Sequence, residues 1–132
     1  MWRTPVYDRT LADVRQKNSK GYLNTSDLNR IENNIQVLSE LLKSAVVPKS
    51  WQDGEIVYLS QLKRLENNIQ TLLTCYPLPP TSPPLPFQPY TNYQQWNDIE
   101  HIINDIYSLF YANKGAVNFC SEISAGAQIG VI

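Results

Sequence analysis

The sequence predicts a mainly α-helical protein: three amphipathic helices from one tandem motif, joined by long Pro- and Trp-containing linkers, with an N-terminal arm and a C-terminal β-hairpin. Three observations predict it. Arg30-Ile31-Glu32-Asn33-Asn34-Ile35-Gln36 returns as Arg64-Leu65-Glu66-Asn67-Asn68-Ile69-Gln70, and a degenerate third copy begins at Asp98-Ile99-Glu100, so both steps, 30 to 64 and 64 to 98, are 34 residues. Within each copy the apolar residues recur at 3-4-3-4 spacing, the stripe of an amphipathic helix. Proline follows the first two copies, and the residues after Ala116 change to an extended pattern.

The apolar stripe of the first copy is Leu28, Ile31, Ile35, Leu38 and Leu42; the second gives Leu62, Leu65, Ile69, Leu72 and Tyr76; the third gives Trp96, Ile99, Ile103, Ile106 and Phe110. Each position is displaced by the same interval, so register is shared as well as composition. The predicted helices run over about 26–44, 60–76 and 93–113. Thr25 and Ser26 precede the first, Ser60 the second, and Asn92 with Gln95 forms a capping box for the third. Val46-Val47-Pro48 and Tyr76-Pro77 stop the first two, because proline cannot continue a helix and disfavours helix in the residue before it; Gly115 offers a left-handed exit for the third. Helices this short are marginal alone in water, so each stripe needs a partner. Asn34 and Asn68 flank that stripe as register-fixing polar residues, either bonding to a neighbouring helix or loop carbonyl or remaining solvated. The third copy has Ile102 there, which widens its apolar face and marks it as the most buried helix.

Around this repeat region, residues 22–114, lie an arm (1–21) and the hairpin (115–132). Thr10 and Asp13 have capping-box spacing for a short arm helix carrying Leu11 and Val14, with Gly21 as its exit. Residues 77–90 hold seven of the nine prolines and are expected to form an extended polyproline strap over the bundle or a neighbouring subunit. Connections of about fifteen residues exceed what a tight bundle uses. A 34-residue period is shared with tetratricopeptide repeats, but those need two helices per period and each unit here has one. Trp2 and Tyr7 in the arm, and Val117, Phe119, Ile123, Ile129 and Val131 in the hairpin, are the candidates for contact with a partner chain, since a lone two-stranded hairpin is marginal in water.

Composition excludes several function classes. A net charge of −1 lacks the Lys/Arg surplus that nucleic-acid binding needs. No apolar run reaches secretory or membrane-spanning length, so a cytosolic protein without membrane insertion is expected. Residues 1–64 carry ten Lys/Arg against seven Asp/Glu, and residues 65–132 carry Lys114 against five acids. Cys75, Cys120 and the single histidine, His101, are too few for a structural zinc site. Buried free thiols are the default for the two cysteines, with a disulfide left open. Glu32, Glu66 and Glu100 sit at equivalent places beside the stripe; a bundle metal site would recruit histidine as well, so structural carboxylates, salt-bridged or solvated, are expected. Neither cofactor, metal nor catalytic residue is predicted, and the chain does not read as an enzyme.

The segment Tyr22-Leu-Asn-Thr-Ser-Asp-Leu-Asn-Arg-Ile-Glu-Asn-Asn-Ile35, preceded by Asp8-Arg-Thr-Leu-Ala-Asp-Val14 and followed by Trp96-Asn-Asp-Ile-Glu100, resembles small structural proteins and N-terminal modules of tail proteins from phages and prophages of Gram-positive bacteria. The ending Ser124-Ala-Gly-Ala-Gln-Ile-Gly-Val-Ile132 is similar to segments of the same proteins. The resemblance implies a virion structural protein of a tail or tail-like particle, an assembly or attachment component at the baseplate, tail tip or fibre connection. Its implied partners are other copies of itself and other tail or baseplate proteins, as a homo-oligomer within a larger assembly. Its implied location is the host cytoplasm during assembly and then the virion. The alternative reading is a host-surface module binding glycan or protein through an aromatic platform of Trp51, Tyr90, Tyr93 and Trp96.

Overall fold

The computed structural model describes residues 1–18, 20, 23–86, 90 and 92–112. Four helices follow one another: α1 (Leu11–Gln16), α2 (Thr25–Leu42), α3 (Leu59–Cys75) and α4 (Tyr93–Ala112). Among the described residues there is no strand, and no helix is long and apolar enough to cross a membrane. The hairpin expected over 115–132, with Val117, Phe119, Ile123, Ile129 and Val131, and the end of the third repeat helix past Ala112 lie outside the described residues.

Helix starts follow the 34-residue interval more closely than the sequence reading had them. The caps are Asn24, Tyr58 and Asn92, each 34 residues from the last, rather than Thr25/Ser26 and Ser60. Asn24 and Asp27 close a reciprocal capping box, as do Asn92 and Gln95. Tyr58 has no side-chain oxygen within reach of the next turn and makes no such bond. In α1 the Thr10–Asp13 box forms as predicted, and hydrogen bonds from Asn18 and then the Thr10 backbone hold the Asp13 carboxyl below its usual range. The exit of α1 is Lys17 in a left-handed conformation, not Gly21; α2 ends at Leu42 with Lys43 as a cap of the same kind, before Val46-Val47-Pro48 as expected and two residues short of the expected 44.

The stripes of α2, α3 and α4 meet in one core. Thirteen of the fifteen predicted positions are buried, and Leu62 and Tyr76 are half-buried at its edge. The expectation that the third repeat helix is the most buried is corrected: α2 buries nine residues against seven in α4, although Ile102 is fully enclosed. The reason is topological. The α2 backbone packs against both α3 and α4, while α3 and α4 approach each other less closely.

The long connectors lie on this chain's own helices. Three straps cover the bundle: residues 1–10, residues 44–57 and the described part of residues 77–92. The third is not the continuous polyproline rod expected from its composition, because it turns at Pro79–Ser82, where the Ser82 N–H donates to the Pro79 carbonyl at 3.0 Å. Cys75 is buried, as predicted, but it is disulfide-bonded, which corrects the free-thiol expectation; Cys120 lies outside the described residues.

Leu38 is fully enclosed where α2 meets the core. Leu38→Ala is expected to destabilise the protein by about 2–5 kcal/mol, and Gln70→Ala, on the exposed face of α3, by under about 0.5 kcal/mol. Urea unfolding followed by far-UV circular dichroism checks both.

Candidate functional site

An extended strap has no ladder of its own, so its backbone N–H and C=O groups need other partners. Four asparagines supply them, each gripping one strap residue by both backbone groups. Asn34 accepts from the Arg3 N–H at 2.9 Å and donates to the Arg3 carbonyl at 2.7 Å. Asn68 does the same to Val47, at 3.0 and 2.8 Å. Asn29 holds Trp51, at 2.8 and 3.1 Å, and Asn97 holds Arg9, at 3.1 and 2.9 Å. The predicted register residues Asn34 and Asn68 are therefore buried and engaged, and what they fix is a strap. Asn29 and Asn97 went unread in the sequence, although they stand two repeat intervals, 68 residues, apart.

The three equivalent glutamates each receive a donor from a strap and, in two cases, an arginine from the neighbouring helix. Glu32 accepts from the Trp51 indole Nε1–H at 2.9 Å and from both terminal nitrogens of Arg64, which reaches across from α3. Glu100 accepts from Arg9 at 2.6 Å, from the Val6 N–H at 3.1 Å, and from Arg30 through Nε and Nη2 at 2.8 and 2.7 Å. Arg30 also pairs with Asp27 at 2.8 Å. Burial opposes the charge on Arg30, but the hydrogen bonds and charges of Glu100 and then Asp27 outweigh it and raise its pKa above the usual guanidinium value. Arg9 and Glu100 have side chains 2% and 1% exposed, so this is charge held in the interior and neutralised there. Among the described residues, only the Ser44 hydroxyl is a buried side-chain polar atom without a hydrogen-bond partner. The network is closed.

The third glutamate breaks the pattern. Glu66 meets the Tyr90 hydroxyl at 3.4 Å and Lys63 at 3.3 Å, and the position that carries arginine in the other two repeats is Asp98. Desolvation, opposed by the charge of His101, raises the Asp98 pKa. Burial, followed by the charge and hydrogen bond of Glu66, likewise pushes the Tyr90 phenol up.

The partner-contact candidates in the arm are used within the chain. Trp2 stacks on Tyr107 at 3.9 Å, and Tyr7, still 41% exposed, stacks on His101 at 4.8 Å. The aromatic platform is not a surface: Trp51, Tyr90 and Trp96 are buried, the last two edge to face at 5.3 Å, and only Tyr93 is half-exposed. A groove of about 480 Å³ on the outer face of α2 is lined by Arg3, Gln36 and Lys49 among others. Lys49 there is paired with Glu55 and lies 4.7 Å over the Trp51 ring, and the Glu32 oxygens are already committed to Arg64 and Trp51. Among the described residues no group of three His, Cys, Asp or Glu side chains is placed to hold a metal ion. Comparison with known protein families, with curated proteins and with solved structures gives no match. What this arrangement does chemically is fasten: it binds straps to helices and helices to one another.

Removing Glu100 leaves the interior Arg9 guanidinium with only the more distant Asp27 carboxylate at 3.8 Å and costs Arg30 one of its two carboxylates, so Glu100→Ala is expected to cost about 3–5 kcal/mol. Glu66→Ala, which leaves no interior guanidinium behind, is expected to cost less than Glu100→Ala in the same denaturant titration. Asp98 gives a pH signature. Because its folded-state pKa is raised, its charged form is penalised in the folded protein above that pKa, and the penalty is gone below the unfolded value near 3.8. Asp98→Asn should therefore raise the melting temperature at neutral pH, with the gain fading as pH falls through that window.

Proposed function

We propose that this protein is a structural component of a phage tail or tail-like particle, working through subunit contacts in assembly or attachment rather than through chemistry. The resemblance of its repeat and ending to such proteins supplies the particle. The buried carboxylates are occupied by arginines, an indole and backbone amides, so the groups that a catalyst would use are spent on holding the straps.

The observation that carries the reading is an exposed apolar run. Ile56, Val57, Tyr58 and Leu59 are 64%, 42%, 61% and 62% exposed, and Val47 on the same strap is 64% exposed. Single exposed hydrophobics are ordinary, but four consecutive ones mark a surface for another protein. Contact through the arm, by contrast, loses support, because Trp2 and the backbone of Arg3 and Arg9 are engaged within the chain.

Mass measurement of the full chain over a concentration series is the test, together with recovery of co-assembling proteins from cells producing the particle. Oligomers or tail-protein complexes are expected, and the double change Ile56→Asp/Leu59→Asp should abolish them while leaving helical content intact. A chain that stays monomeric at every concentration and captures no particle protein overturns the proposal.

A further inference from the structure

Two straps lie against α2 and leave a groove on it. Asn34 fixes the strap of residues 1–10 at Arg3, and Asn29 fixes the strap of residues 44–57 at Trp51. The groove of about 480 Å³ takes its lining from all three segments: Arg3 from the first strap, Lys49 and Ser50 from the second, and Asn33 and Gln36 from the helix. Its volume falls within the range of clefts that hold ligands.

The helix supplies groups suited to an extended chain. Asn33 and Gln36 are three residues apart and share a face of α2. Each is a carboxamide, the group that elsewhere in this fold grips a strap residue by its N–H and its C=O. The Asn33 amide nitrogen donates to the Met1 carbonyl at 2.6 Å and to the Asn34 Oδ1 at 3.4 Å, while its own oxygen accepts no bond among the described residues. The Gln36 nitrogen meets Glu40 at 3.5 Å, the outer limit of a hydrogen bond, and its oxygen is also open. The repeat equivalents Asn67 and Gln70 stand exposed on α3, whereas Asn33 and Gln36 are half-buried.

Charge selects the occupant. The Arg3 backbone is bound by Asn34, but its guanidinium meets no carboxylate among the described residues. Lys49 is paired with Glu55, and Glu32 beneath the groove is neutralised by Arg64. The surplus charge is therefore that of Arg3. A saccharide would find no open ring to stack on, since Trp51 is buried with Lys49 4.7 Å over it.

We infer that this groove binds an extended peptide segment of a partner protein, its backbone bonded to Asn33 and Gln36 and an acidic side chain set against Arg3. The segment lies on α2 as a further strap, supplied from outside. The inference stands apart from the tail-particle reading and from the apolar run at residues 56–59, because it uses other residues and a different chemistry.

NMR titration of the isotope-labelled full-length protein tests it, with a blocked hexapeptide of threonines carrying one central glutamate. Saturable shifts confined to residues 29–36, 48–50 and the arm around Arg3 are expected, and a lysine in place of the glutamate should weaken binding at least about tenfold. Arg3→Glu should reverse that preference in favour of the lysine peptide, an inversion that loss of folding cannot produce. Gln36→Ala should weaken binding by about threefold or more. Gln70→Ala and the double change Ile56→Asp/Leu59→Asp should leave it unchanged. Equal affinity for the two peptides, equal affinity for acetate alone, shifts centred elsewhere, or no saturation at peptide concentrations on the order of 10 mM overturns the inference.

Discussion

The structure depends on giving the backbones of the straps at residues 1–10 and 44–57 partners that are not another strand. Extended segments on a helical bundle bury N–H and C=O groups that neither helix nor sheet can satisfy. Here a carboxamide, with its donor and acceptor side by side, closes both groups of one residue at once, four times over. Helix spacing then decides where on the strap the grip falls. Positions 34 and 29 on the same helix serve two different straps, so the straps of residues 1–10 and 44–57 are each tied to two helices and tie them to each other.

The interior ion pairs follow from the same arrangement. Such pairs add little net stability over an apolar core of equal volume, but a helix docked on the wrong neighbour would leave a guanidinium or carboxylate unmatched at a cost of several kcal/mol. Arg64 with Glu32 and Arg30 with Glu100 therefore discriminate among helix orders that the apolar stripes alone would tolerate, since those stripes are near copies of one another.

Much of this was legible in the sequence, and the limits are physical. The stripe positions could be read because a helix repeats every 3.6 residues and burial enforces apolar identity at each contact. Asn34 and Asn68 could be singled out because two asparagines in mid-helix oppose propensity. Their partners could not, because the strap residues Arg3 and Val47 are 31 and 21 residues away and follow no fixed interval. Asn29 and Asn97 escaped for a related reason: Lys63 interrupts the series between them. The aromatic side chains misled, since exposure of a tryptophan cannot be inferred from a loop assignment when the loop is laid against a core.

Tyr58 occupies the cap position that asparagine fills in the other two repeats, and it faces water within the exposed run of residues 56–59. An asparagine or serine there would strengthen α3 by about 1 kcal/mol. The middle repeat thus forgoes a local gain in helix stability at the one place where doing so puts a large aromatic ring on the outside. That trade fits the partner surface proposed above, of which Tyr58 is part.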